Sequence, residues 1–174
     1  MHRGRGEQGH AQAGGDQVLH HRAWVADNAT VLGDVVLGSG SGVWFGAVVR
    51  ADSASIRVGR DSNVQDNCVL HADPGAPLAV GDRVSIGHTA VLHGCTVESD
   101  VLVGMGAIVM NHARIGSGSL VAAGALVLEG TDVPPGSLVA GVPAKVRRPL
   151  TEEESAHVRL NAEHYVALAR QHSA

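Results

Sequence analysis

Residues 64–97 read VQDNCVLHADPGAPLAVGDRVSIGHTAVLHGCTV. Three histidines, His71, His88 and His93, stand there among residues that are mostly small or aliphatic. Imidazole is costly to place in such surroundings without a purpose, and its neutral form is a common zinc ligand. The aliphatic residues set a period: Val58, Val64, Leu70, then Val80, Ile86, Leu92, each six apart. The same step runs outward through Val25, Val31, Leu37, Val43 and Val49 on one side. On the other it runs through Val97, Val103, Val109, Ile115, Val121 and Val127. A small residue often follows, as at Ala26, Gly38, Gly59, Gly81, Gly87, Gly104, Gly116 and Ala122. A period of six matches neither an amphipathic helix nor an alternating strand. It matches short strands joined by tight turns, each strand sending one aliphatic side chain inward. Three such strands make a triangular coil of about 18 residues, and stacked coils make a parallel β-helix of hexapeptide repeats. The fold class expected is therefore an all-β solenoid.

Composition agrees. Aromatic residues are 2% of the chain and glycine numbers 23 of 174 residues, so the core must be filled by stacked Val, Ile, Leu and Ala. The formal charge is −4, with no basic stripe that would argue for nucleic acid. No apolar run approaches 18 residues, so no membrane span is expected. Cys68 and Cys95 make no disulfide framework and read as buried free thiols in a reducing cytoplasm. The opening MHRGRGEQGHAQAGGDQ lacks the apolar core of a signal peptide and reads as a disordered lead-in.

The expected organisation is a lead-in over residues 1–22, a β-helix over 23–148 and a C-terminal helix over 149–174. The repeat slips in three places. RADSASIR interrupts it between Val49 and Val58, HADPGAPLA stretches it between Leu70 and Val80, and Leu92 to Val97 is one residue short. The second slip should be a loop budding from a corner. All three cluster around the histidines, and departures from a repeat are where function tends to be grafted. After Pro134 the chain reads as a final partial coil leading out. Thr151 with Glu154 forms a capping box, opening a helix whose weak apolar stripe is Val158, Ala162, Tyr165, Val166, Leu168 and Ala169. That helix should lie on the coil stack or on a neighbouring subunit.

His71 and His93 each follow the aliphatic residue that closes a coil. They should share a column on adjacent coils, about 4.8 Å apart and pointing outward. Two imidazoles so placed can converge on one ion. His88 lies across a corner, about 16 Å of chain from His93. It can reach an ion held by a neighbouring copy packed around a three-fold axis. The bland alternative for any one of the three is a solvated surface histidine. His2, His10, His20, His21, His157 and His172 take that reading, His112 reads as a turn residue, and His164 as a possible supporting group on the helix. Arg50 and Asp52 fall two apart on one side of an extended segment and can pair, within the chain or across a subunit boundary. Gln65 and Asp66 precede His71 by one hexad and suit holding a water or steadying a ligand. Turn and interface hydrogen bonding is the equal alternative for Asp66 and Asn67.

SGVWFGAVVRAD, SNVQDNCVLHAD, IGHTAVLHGCTV, LVGMGAIVMN, SLVAAGALV and PPGSLVAGVPAKVRR together resemble the γ-class carbonic anhydrase-like family over about residues 24–168. The resemblance implies a left-handed β-helix, a hand the period alone does not give. It also implies a homotrimer with zinc, or cobalt or iron, at its subunit interfaces. It places the metal ligands at His71, His88 and His93, with His88 from the adjacent subunit. The family's Arg–Asp pair falls on Arg50 and Asp52, its Gln–Asp pair on Gln65 and Asp66, and a tyrosine of the C-terminal helix on Tyr165. The implied chemistry is metal-hydroxide hydration of carbon dioxide to bicarbonate, with Gln65 orienting the hydroxide. The chain departs from the active enzymes of the family in its short DPGAPLA loop and in Ser53, which stands where a glutamate would follow Arg-x-Asp. No glutamate proton shuttle is visible. The rival readings are a hexapeptide acyltransferase using acyl-coenzyme A, which shares the GVPAK ending, and a non-catalytic trimeric binding protein.

Overall fold

A computed structural model describes residues 18–19 as backbone and residues 22–173 in full. The chain winds about six times around a triangular prism and ends in one helix. The first coil holds β2 (Trp24–Val25) and β3 (Thr30–Leu37), preceded by a short β1 (Val18–Leu19). The second holds β4 (Gly42–Val43) and β5 (Val48–Val58). Next come β6 (Asn63–Val64), β7 (Val69–His71) and β8 (Leu78–Val80), then β9 (Ser85–Ile86), β10 (Val91–His93) and β11 (Thr96–Val97). The fifth coil is β12 (Leu102–Val103), β13 (Ile108–Val109) and β14 (Arg114–Ile115). The sixth is β15 (Leu120–Val121), β16 (Leu126–Val127) and β17 (Asp132–Val133). Every strand from β2 to β17 pairs in parallel with an equivalent on a neighbouring coil, and those inside the stack pair on both sides. The hexad step thus becomes three columns of stacked side chains.

Beyond the first turn, where Val25 and Val31 are half-buried, the inward residues are sealed. Leu37, Val43, Val49, Val64, Leu70, Ile86, Leu92, Val103, Val109, Ile115, Val121, Val127 and Val133 are all at 0% exposure. Burial of a side chain of this size contributes roughly 1.5–3 kcal/mol, which explains how a chain with so few aromatics folds. Cys68 and Cys95 are buried and free. They occupy corner positions where neighbouring coils carry Ala47, Ala90 and Ala113, and burial pushes both thiols up to about 12. They are filler, not nucleophiles.

The interruptions become structure. β3 and β5 each run around a corner, so one strand serves two faces, and β5 carries extra residues where the pairing jumps from Gly33↔Ala51 to Val35↔Ile56. The extra residues include Asp52 and Ser53. Gly33 makes the jump possible: its φ is +84°, and a Cβ there would lie 2.1 Å from the Ala51 carbonyl oxygen. HADPGAPLA forms the expected corner loop, closed by an antiparallel bridge between Asp73 and Ala76.

Beyond Pro134 the structure does more than lead out. β18 (Ser137–Gly141) joins β15 in parallel, and the chain turns through a cis Val142–Pro143 bond into β19 (Ala144–Pro149), which runs antiparallel to β18. The hairpin covers the sheet edge that a simple coil would leave open. Helix α1 (Glu152–His172) follows with both halves of the capping box formed. Glu154 Oε2 accepts from the Thr151 N–H at 2.9 Å, and Thr151 Oγ1 accepts from the Glu154 N–H at 3.2 Å. Val158, Ala162 and Ala169 are buried, and α1 lies on this chain's own coils against β4, β6 and β9. The expected lead-in, with His2, His10, His20 and His21, lies almost wholly outside the described residues; β1 within it pairs with Val36 and Leu37. No helix among the described residues is long and apolar enough to cross a membrane.

Candidate metal centre

The ladder of β5, β7 and β10 pairs Arg50 with His71 and His71 with His93. Strand alternation turns all three side chains outward on one face of the prism, because Leu70 and Leu92 beside them turn in. The rings of His71 and His93 lie 4.9 Å apart between centroids, and His71 Nδ1 stands 2.9 Å from His93 Nε2. Their side chains are 14% and 28% exposed, so the two nitrogens meet in a partly shielded recess.

Outer partners decide which nitrogens carry protons. His71 Nε2 lies 3.0 Å from Asp52 Oδ1. A carboxylate only accepts, so Nε2 carries the proton and Nδ1 presents a lone pair. Asp52 also pairs with Arg50. The His71 hydrogen bond, and after it Arg50, holds the Asp52 carboxyl below its usual range. His93 Nδ1 lies 2.7 Å from Asn111 Oδ1, while Asn111 Nδ2 donates to Asp73 Oδ2 at 3.0 Å. With the amide so turned, His93 Nδ1 is the donor and Nε2 keeps its lone pair. As neutral rings in these tautomers the two would aim lone pairs at one another across 2.9 Å. That is repulsive with nothing between them and favourable with a cation. Tetrahedral zinc with bonds near 2.0–2.1 Å needs about 3.3–3.4 Å between ligand nitrogens, an opening of about half an ångström. The donor set fits a divalent ion.

Asp73 belongs to the same group. With His71 and His93 it offers ligand atoms that all lie within 4.8 Å of one another. Its carboxylate is 4.0 Å from His71 Nδ1 and 3.9 Å from His93 Nδ1. The sequence reading missed this carboxylate because it sought a glutamate in a longer insertion. The corner loop, folded back by its Asp73–Ala76 bridge, brings an aspartate instead. Asn111 was also missed: it stands one coil beyond His93, 18 residues on, in the turn after β13.

His88 stands apart from this group, in a second cluster. Asp66 Oδ2 lies 2.7 Å from His88 Nδ1, and the Tyr165 hydroxyl lies 3.2 Å from His88 Nε2. The carboxylate places the proton on Nδ1, so Tyr165 donates to the Nε2 lone pair. Burial, and after it the charge of Asp66, pushes the Tyr165 hydroxyl up and keeps it a donor. Tyr165 is seated by Trp44, whose ring meets it edge-on at 5.1 Å. Gln65 is buried, with its Oε1 accepting from the His88 N–H at 3.2 Å and its Nε2 donating to Asn63 Oδ1 at 3.0 Å. One Nε2 proton remains for another acceptor. Of the remaining described histidines, His157 and His164 are exposed on α1, and His112 holds a turn with φ +60°. His172 is more than a solvated residue: its ring packs 5.4 Å from Trp24 and 5.5 Å from Trp44.

The face that carries the histidines is apolar around them. Val48, Val69, Val91, Ile108 and Leu126 stack in one outward column. Val69, Ile108, Met110 and Leu128 are 39%, 37%, 38% and 46% exposed.

No family model matches the chain. It is 50% identical over 145 residues to a Methanocaldococcus jannaschii protein named "Probable carbonic anhydrase", covering 83% of this chain and 91% of that protein. It is 42% identical over 156 residues to "Gamma carbonic anhydrase 2, mitochondrial" of Arabidopsis thaliana, covering 86% of this chain and 56% of that protein. The chain thus spans little more than half the length of this plant relative. Among solved structures, a Bacillus cereus protein described as a candidate acetyltransferase is 40% identical, with a TM-score of 0.87 over 88% of this chain and 90% of that one.

Proposed function

This chain belongs to the γ-class carbonic anhydrase family, and on that premise we propose that it hydrates carbon dioxide to bicarbonate at divalent-metal sites between the subunits of a homotrimer. The observation that carries the reading is the convergence of His71 Nδ1 and His93 Nε2, 2.9 Å apart, with both lone pairs turned inward by Asp52 and Asn111. Zinc is the first choice for such a donor set, with cobalt or iron as substitutes. When bound, the ion supplies Lewis acidity that brings a coordinated water's pKa to about 7.

His71 and His93 hold the ion from one chain, and His88 of the partner subunit completes three ligands. The trimer is supported by two features. The histidines share their face with a column of exposed aliphatic residues, and His88 points into a separate cluster of its own chain. Asp52 and Arg50 keep His71 in the ligating tautomer. Asp66 does the same for His88, fixing Nδ1 as donor so that Nε2 is the ligand. Gln65 is rigid at both ends and offers its remaining amide proton to orient the attacking oxygen. Tyr165, whose hydroxyl lies 3.2 Å from His88 Nε2, would be free to donate to a substrate oxygen once that nitrogen holds the ion. Hydration releases a proton, and with serine at position 53 its export depends on external buffer. Two buried free thiols support a reducing cytoplasm as the compartment.

The test combines three measurements on one preparation. Sedimentation should give about three chain masses, metal analysis about one ion per chain, and stopped-flow hydration a maximal rate that rises with imidazole-type buffer at fixed pH. A metal-loaded trimer with background hydration at every buffer concentration would end the carbonic anhydrase reading. A stable metal-loaded monomer would end the shared-site geometry. A second reading, acyl transfer from acyl-coenzyme A at the same interface, is supported by the description of the Bacillus cereus structure. It requires a histidine base and gives no role to the facing lone pairs. Metal binding without any turnover would favour a trimeric binding protein.

A further inference from the structure

We propose that Asn111 and Asp73 are positioning residues for the metal centre: the Asp73 carboxylate sets the orientation of the Asn111 amide, and that amide sets the tautomer of His93. The proposal rests on the reading of His93 as a ligand.

The two ends of an asparagine amide have nearly the same shape, so packing alone does not choose between them. Charge does. Asn111 lies between His93 Nδ1 at 2.7 Å and Asp73 Oδ2 at 3.0 Å. If its oxygen turned to Asp73, two acceptors would face each other at 3.0 Å. Its NH2 would then donate to His93 Nδ1, moving the ring proton to Nε2 and removing the lone pair that faces His71. With its NH2 on Asp73, the oxygen accepts from His93 Nδ1–H and Nε2 stays free. A carboxylate two hydrogen bonds away therefore selects the ligating nitrogen.

Both ends of this side chain are spent on site groups. A turn asparagine kept for local reasons would bond its own neighbouring backbone, but here the partners lie 18 and 38 residues away in sequence. The fold also makes room for it. Gly94, the residue after His93, has φ +53°, and a Cβ there would stand 2.3 Å from Asn111 Oδ1. His71 needs no such relay, because Asp52 reaches its ring directly. Outer partners of metal-binding histidines are typically worth ten- to a hundredfold in affinity.

The experiment uses the full chain in metal-free and zinc-titrated forms. Long-range 15N–1H correlation spectra of the metal-free protein, at a pH where the rings are neutral, should show His93 as the Nδ1–H tautomer. Asn111→Leu keeps the side-chain bulk and removes both bonds. It should populate the Nε2–H tautomer of His93 and weaken zinc binding about ten- to a hundredfold, with the trimer intact. Asp73→Asn alone removes the charge that orients the Asn111 amide, and should also populate the Nε2–H tautomer and weaken binding. Combined with Asn111→Asp it reverses donor and acceptor between the two positions while keeping an acceptor for His93. That double variant should restore both the Nδ1–H tautomer and the zinc affinity to within a few-fold of wild type. A wild-type spectrum with His93 as Nε2–H overturns the proposal, as does unchanged affinity in Asn111→Leu. If Asn111→Leu fails to fold, the double variant decides: no recovery relative to Asp73→Asn overturns it. Zinc content unchanged by His93→Ala would instead overturn the ligand reading, leaving the tautomer result standing alone.

Discussion

A methyl group at Gly94 tests the site geometry with an internal control. Gly94→Ala places a Cβ 2.3 Å from Asn111 Oδ1, 2.8 Å from Ala76 Cβ and 3.0 Å from the Ala76 carbonyl oxygen. Ordinary contact begins near 3.4 Å, so Asn111 Oδ1 must retreat by about 1 Å. A shift of that size takes the 2.7 Å bond from His93 out of range or off line. The corner loop that carries Asp73 is pushed by the same methyl through Ala76. The backbone adds its own cost, since φ is +53° and a side chain in the left-handed region costs roughly 1–2 kcal/mol. Gly124→Ala is the control: φ is +68° with nothing within 4 Å of the new Cβ. Both variants should lose about 2–8 °C in melting temperature from backbone strain, at roughly 2–4 °C per kcal/mol for a chain of this size. Only Gly94→Ala should weaken metal binding, by about ten- to a hundredfold, measured by competition with a chromophoric chelator. Equal metal affinity in the two variants would refute the claim that the packing around Gly94 holds His93 in its ligating form.

His71→Ala, His88→Ala and His93→Ala should each strip most of the metal, whereas His112→Ala and His157→Ala should leave about one ion per chain; full occupancy in His88→Ala, with an unchanged cobalt spectrum, would show that the third ligand is misassigned. Tyr165→Phe removes a hydrogen bond from the His88 lone pair that the metal needs, so zinc affinity should rise about two- to tenfold, the range of one neutral hydrogen bond; a fall would mean that the hydroxyl supports the ligand instead of competing for it. Glu154 is held at about 2 against an ordinary 4.5, first by Arg148 and then by the Thr151 backbone. A depressed carboxyl contributes stability above its unfolded value and loses it as pH falls through the folded one. The helical circular dichroism signal of α1 should therefore hold above pH 4.5 and decline toward pH 2, and Glu154→Gln should remove that pH dependence; an identical acid profile in the variant would exclude the cap as its cause.

The hexad of aliphatic residues was sufficient for the parallel solenoid and the outward column that unites His71 with His93. Both are consequences of counting: a residue's coil and face follow from its position modulo the repeat, and backbone hydrogen bonds then stack equal positions. The capping box of α1 was legible for the same reason, being purely local. Where the count breaks, the sequence said that something happens but not what. RADSASIR became a strand that turns a corner and lifts Asp52 onto His71. HADPGAPLA became a closed loop that brings Asp73 beside the two histidines. The partners Asn111, 38 residues from Asp73, and Tyr165, 77 residues from His88, are set by how coils and the terminal helix dock. By itself, then, the sequence determined the coil, its core and the pair of facing imidazoles, because these depend on a short-range period. Which nitrogen of each ring carries the lone pair was decided only by tertiary structure, because a tautomer depends on hydrogen-bond partners that distant segments bring within 3 Å.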